Sequence, residues 1–258
     1  MNVAHGWALC LAGSMAMAAG SPGVAQTEPT HKMEALIAMH DLRTSVSIGR
    51  YYLKQEALLA VRERLVRLGA EHGLGAGWNS ASPYWRQAEE AVLEQVMSRI
   101  DAEFDSLQWL KPLWMELTRS EFSDEEIDAL LAHFRSEVGR KQVRIVDHTV
   151  STHVMMRLSF AGRLKEVPGA DEERSRMQQL WNDEDREMRF SIEGAANAEG
   201  QRFALSPLGK KYLVTAVLKL TGLLSRRIED LAAAVPGEVD AGIGRVQPLV
   251  EEFKHARG

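Results

Sequence analysis

Apolar residues recur along this chain at spacings of three and four, and no run of alternating strand residues interrupts them. The pattern predicts an all-α protein, a multi-helix bundle. Expected helices span 32–42 and 45–68, after a short polar leader at 27–30. In the second, Leu53, Ala57, Ala60, Val61, Leu65 and Leu68 form one stripe. Four glycines, Asn79, two serines and a proline then mark 69–83 as a loop. A third helix follows at 84–107, with Val92, Val96, Ile100 and Leu107 on one side. A short tryptophan-rich helix follows at 110–119, with Pro112 suited to its first turn.

The clearest helix start lies at Ser123. Glu126 stands three residues on, where a capping box needs it, and Asp124 and Glu125 favour the positive dipole end. Ile127, Leu130, Leu131 and Phe134 make the buried face. Ser136 restarts the helix, which carries an apolar line through Val143, Val146, Val150, Val154, Leu158 and Ala161. Ile145, Met156, Phe160 and Leu164 add a second apolar face, and a helix apolar on two faces is expected at the centre of its bundle.

Pro168-Gly169 is the expected boundary between a domain at 26–167 and a C-terminal helical subdomain at 168–258. A charged amphipathic helix at 171–190 uses Met177, Leu180, Trp181 and Met188. A break follows at 194–200. Ser206 and Pro207 cap and start the next helix, which Leu213, Val217, Leu220, Leu224 and Ile228 carry until Pro236-Gly237 stops it. A last helix is expected at 239–254.

The two serine restarts align with a single offset of 70: Ser136 with Ser206, Gly139 with Gly209, Lys141 with Lys211, Val150 with Leu220. One device used twice explains the match. A serine caps each helix, a first-turn glycine admits a close neighbour, and basic residues point outward. The chain then has two similar helical halves, the second a degenerate repeat packed on the first. Chance alignment of two capped amphipathic helices is the alternative. The structural joint residues are Ser123, Glu126, Phe134, Ser136, Gly139, Ser206, Pro207 and Gly209.

The N-terminus changes the picture from fold to compartment. No Lys, Arg, Asp or Glu occurs from 3 to 25, and 7–19 is an apolar run too short to span a bilayer. Gly23-Val24-Ala25 supplies small residues before a cleavage point. The expectation is a signal peptide at 1–25, cut after Ala25, with Ala19 as the second choice. The protein is then periplasmic or secreted, with no integral span after cleavage. The one cysteine, Cys10, lies inside that segment, so the mature chain would have no disulfide, thiolate nucleophile or thiolate-bound zinc. A chain of 258 residues, 45% hydrophobic and 26% charged, can build a sizeable core. Its net charge of −5 gives no reason to expect nucleic acid.

The segment 78–164 resembles a family of exported Gram-negative bacterial proteins, catalogued as domain of unknown function family 2059. The resemblance rests on Phe122-Ser123, Glu126-Ile127, then Phe134, Ser136, Gly139 and Lys141. Glu137 stands where the family usually has proline, while Ser206-Pro207 keeps it. The resemblance implies an α-helical envelope protein and brings no catalytic residues.

No constellation with a mechanism emerges. There is no His-Glu-x-x-His helix. His148 and His153 are five apart, outside the three or four spacing that shares a face, and His133 reads as a helix-surface residue at the first joint. Residues 200–211 lack the glycine and the Ser/Thr of a phosphate loop. Acids such as Asp183, Glu184 and Asp185 read as caps and solvated faces. Trp78, Trp85, Trp109 and Trp114 either line a groove or fill the core.

The expectation is therefore a non-enzymatic periplasmic helical protein, with no cofactor and no metal, acting on an envelope protein partner. Trp109, Trp114 and Phe122 are the candidate interaction surface. Two alternatives stay open: an immunity protein or inhibitor of an envelope-targeting toxin, and a cell-wall hydrolase with a lone catalytic Glu.

Overall fold

A computed structural model describes residues 27–105, 109–160 and 171–256. The proposed signal peptide, Cys10, Leu107, Ala161, Leu164 and Pro168-Gly169 lie outside the described residues. Among those described, the chain is all-α, without a strand. The helices are α1 (Thr27–Ile37), α2 (Arg43–Glu71), α3 (Pro83–Asp105), α4 (Leu110–Glu121), α5 (Asp124–Phe134) and α6 (Glu137–Phe160). Then come α7 (Asp171–Ala195), α8 (Ala198–Leu205), α9 (Pro207–Leu213), a π-helical segment (Val214–Leu220), α10 (Thr221–Gly242), a 3₁₀ turn (Ile243–Val246) and α11 (Gln247–His255).

Helix α2 lies at the centre, against α3 on one side and α6 and α10 on the others. Its buried stripe is the expected one, with Leu53, Ala57, Val61, Leu65 and Leu68 nearly inaccessible. After α2, Gly73 and Gly75 take left-handed φ angles of 63° and 68°, which turn the chain back. Trp78 then packs against Gly69 of α2 and donates its indole N–H to the Leu65 carbonyl at 2.9 Å. Trp85 and Phe253 complete an aromatic cluster that fastens α11 to this end. One continuous core runs from Met33 to Phe253 and takes in both halves of the chain.

Helix α6 contributes the expected apolar line through Val143, Val146, Val150, Val154 and Leu158. Its second face departs from expectation: Met156 is exposed and Ile145 only half-buried. Instead α6 buries polar groups among its valines, including Asp147, His148 and Ser151, whose hydroxyl meets that of Ser45 at 2.9 Å.

Three boundaries also differ. Helix α1 is already helical at Thr27, the first described residue, where a polar leader was expected. It ends at Ile37 rather than Leu42: Met39 and His40 bond three residues back in tight turns, and the Asp41 amide leaves the helix for Asp147. Pro236 does not stop α10. It lies on the exposed face, where water can take the carbonyl freed by its missing N–H. The last stretch is therefore the end of α10, a 3₁₀ turn and the short α11.

The stripe entering α10 is shifted by one residue as well. Tyr212, Ala216, Leu220, Leu224 and Ile228 are buried, while Leu213 and Val217 are half-buried. A strict repeat of four outruns the 3.6-residue turn of an α-helix. The wider turns of the π segment let that repeat stay on the core.

Candidate functional site

The two serine joints come together in space. In the first, Ser136 accepts the Gly139 N–H at 3.0 Å, and a Cβ on Gly139 would sit 2.1 Å from the His133 carbonyl oxygen. In the second, Ser206 accepts the Gly209 N–H at 3.0 Å, and a Cβ on Gly209 would sit 2.0 Å from the Phe203 carbonyl oxygen. The close neighbour is thus the last turn of the preceding helix, α5 or α8. His133 and Phe203, at equivalent positions, stack on each other at 3.7 Å with planes 11° apart. His133 is accordingly no plain surface residue, and its Nε2 also meets the Gln142 side-chain oxygen at 2.6 Å.

The capping box at Ser123 is complete: Ser123 accepts from the Glu126 amide, and the Glu126 carboxylate accepts from the Ser123 amide at 2.9 Å. The same carboxylate takes Lys211 of the second joint at 2.6 Å. The Lys211 hydrogen bond, with the Ser123 amide, holds the Glu126 carboxyl below its usual range. Lys211 therefore does not point into solvent as expected. Lys141 pairs with Glu137 at 2.7 Å, so this acid also anchors the first turn of α6.

Between these joints lies an apolar cavity of about 300 Å³. Phe134, Ile145, Ile192, Phe203, Tyr212 and Leu213 are among its walls, with Gln142 the main polar side chain. Gln142 is fixed by His133 on one side and by the Gly200 carbonyl, which accepts its amide N–H at 2.8 Å, on the other. Leu205 and Val214, each next to a wall residue in the chain, and Leu218, four residues beyond Val214, are among the most exposed large apolar residues described.

Tyr212 also begins a buried polar chain. Its hydroxyl lies 2.7 Å from His40 Nε2, His40 Nδ1 lies 2.5 Å from Asp147 Oδ1, and the Asp41 amide donates to Asp147 Oδ2 at 2.8 Å. Burial pushes the Tyr212 phenol well above the usual tyrosine range, so it keeps its proton and donates it to Nε2. The remaining imidazole proton is then on Nδ1, donated to Asp147. Burial pushes the Asp147 carboxyl up; His40 and the Asp41 amide counter that by bonding its oxygens. Trp114 packs over His40 with ring centroids 4.6 Å apart.

A hydroxyl, imidazole and carboxylate in series match the order of a nucleophile, base and orienting acid. Here Tyr212 is almost fully buried, and the series ties three parts of the fold together. It joins α9, the α1–α2 connection and α6. Its ends reach two cavities: Tyr212 lines the apolar one, and Asp147 lines a polar cleft against α7.

The expected interaction surface is corrected. Trp114 and Phe122 are buried, and Trp109 is half-buried against Phe104 at 5.7 Å. At helical spacing beside an apolar core, large aromatics bury more area inward than outward. None of His40, Asp147 and Tyr212 stood out in the sequence as members of a group, because they lie far apart in the chain and no spacing rule links them. Among the described residues no helix is long and apolar enough to cross a membrane, and no group of three or more metal-ligating side chains is assembled. The chain matches no protein-family model, no curated protein and no solved structure.

Proposed function

We propose that this protein is exported to the cell envelope and works there, without catalysis, by gripping a helix of a partner protein. The observation that carries the reading is the apolar cavity between the two joints, with exposed Ile192 in its wall, exposed Leu205 and Val214 next to wall residues in the chain, and exposed Leu218 four residues on. An apolar patch of this kind on a helical protein suits the apolar face of a partner helix. Export rests on the apolar run at 7–19 and the small residues before Ala25, together with the resemblance of 78–164 to exported proteins.

A photo-crosslinking residue placed at Leu205 or Leu218, in cells making the full chain, tests this. The expected result is a discrete crosslinked protein from either position and none from Val66, which is equally exposed on α2. Equal labelling from all three positions, or recovery of the protein only in the cytoplasmic fraction, would overturn it.

A further inference from the structure

Between Glu199 and Glu229 the chain carries six Lys and Arg residues and no acid, in a molecule whose net charge is −5. Three of the six find carboxylates across the fold: Lys211 on Glu126, Lys219 on Glu121 and Arg227 on Glu103. Arg202, Lys210 and Arg226 do not. All three are exposed, and among the described residues no ion pair within 4 Å engages them. Asp230, one turn beyond Arg226, is no exception.

Two of these cations stand in line with exposed apolar residues. The π segment keeps a repeat of four on the core, from Tyr212 to Ile228. The repeat offset from it by two residues is Lys210, Val214, Leu218, Gly222 and Arg226, so the same wider turns hold it on the outward face. Val214 is 47% and Leu218 60% exposed. At Gly222 the only side chain near the place of a Cβ is Arg157, whose Nη1 lies 3.6 Å from it. The backbone there is open to a close neighbour, and a further cation stands beside the line. Arg157 is exposed and makes no ion pair among the described residues. The line runs about 24 Å, at about 1.5 Å per residue. It starts at the cavity wall, because Lys210 and Val214 flank Tyr212 and Leu213 in the chain.

We infer that the partner helix is acidic, with carboxylates bracketing its apolar face at both ends. The inference rests on the proposal that a partner helix docks at this corner, and adds its charge and its register. The apolar face meets Val214 and Leu218. The carboxylates meet Lys210 at one end, and Arg226 with Arg157 at the other. Complementary charge at two separated points fixes register as well as speeding the encounter. A second copy of this chain is a poor occupant, because the same line would set cation against cation. A lipid surface is also a poor one: two aliphatic side chains in single file bury little area, and no aromatic residue stands in the line with them.

The crosslinking residue at Leu205, which leaves the line intact, tests this when combined with Lys210→Glu and Arg226→Glu. Both replaced side chains are exposed, so the double variant is expected to fold with unchanged circular dichroism. The parent chain should give a discrete product, and the double variant at least about tenfold less of it. No product from the parent overturns the partner helix itself. An undiminished product from the folded double variant overturns only its acidity. Purified protein is then titrated with two labelled peptides of about 20 residues that share one leucine face and carry either Glu or Lys at both ends. In fluorescence anisotropy at low salt the Glu peptide should bind at least about tenfold more tightly, and the double variant should reverse the order. Equal binding of the two peptides, no saturable binding of the Glu peptide, or co-sedimentation with phosphatidylglycerol vesicles that the Glu peptide does not displace would each overturn the inference.

Discussion

Tyr212 shows how one side chain can serve two surroundings at once. Its ring is part of an apolar wall, and its hydroxyl closes a polar chain through His40 to Asp147. Below about pH 10 the phenol is protonated whether the protein is folded or not, and it adds no pH dependence. Above that, the unfolded phenol ionises while the buried one holds its proton, so stability falls as pH rises. Tyr212→Phe should lower stability by about 1–3 kcal/mol near neutrality, by leaving His40 Nε2 without a partner. It should also flatten the alkaline loss relative to the parent protein. Urea denaturation of both proteins across alkaline pH measures the two effects together. Glu184 gives the opposite lesson. In the sequence it is one more acid in a charged helix, and in the structure it is a half-buried carboxylate facing an imidazole.

At the scale of elements, the serine joints were the most legible feature of the chain. Ser, two residues, Gly at the start of an apolar stripe is enough to predict a capped restart, because the hydroxyl and the third amide must meet there. What could not be read is the tightness of the turn. A Cβ at Gly139 or Gly209 would lie about 2 Å from a backbone carbonyl oxygen, and backbone cannot swing aside as a side chain can. Gly139→Ala and Gly209→Ala should each cost roughly 1–3 kcal/mol. Gly237→Ala is the control: it lies mid-helix with open space around it, and should be neutral or stabilising by up to about 1 kcal/mol. Thermal midpoints of the three variants decide this, and equal values would remove the close-packing argument. The π segment was invisible for a related reason. Leu213 and Val217 fit an ideal α-helical stripe in the sequence, and only the core that Tyr212 and Ala216 must reach selects the wider turn.

At the scale of the whole molecule, the decisive fact is that α10 lies along α2 and α3. A helix from the C-terminal third thereby shares a core with the N-terminal one, and the two candidate domains are fastened by Ile228 against Gly49 as well as by Lys211 on Glu126. Unfolding is expected to be a single cooperative transition. Far-ultraviolet circular dichroism and tryptophan fluorescence should give coincident urea curves, because Trp78, Trp85 and Trp114 are embedded in that shared core. Two separated transitions would instead mean that each half keeps a core of its own.

The sequence by itself determined the helical class, the capping box, the serine caps and the buried faces of α2, α3 and α5. These follow from period, cap chemistry and propensity, which act over a few neighbouring residues. Tertiary structure alone decided which side chains meet. His40, Asp147 and Tyr212 are 107 and 65 residues apart along the chain, and Glu126 and Lys211 are 85 apart. It also turned Trp114 and Phe122 inward and left Leu205 and Leu218 outside. Burial of a particular aromatic depends on which helix covers it, and that is set by the packing of the whole bundle rather than by any local pattern.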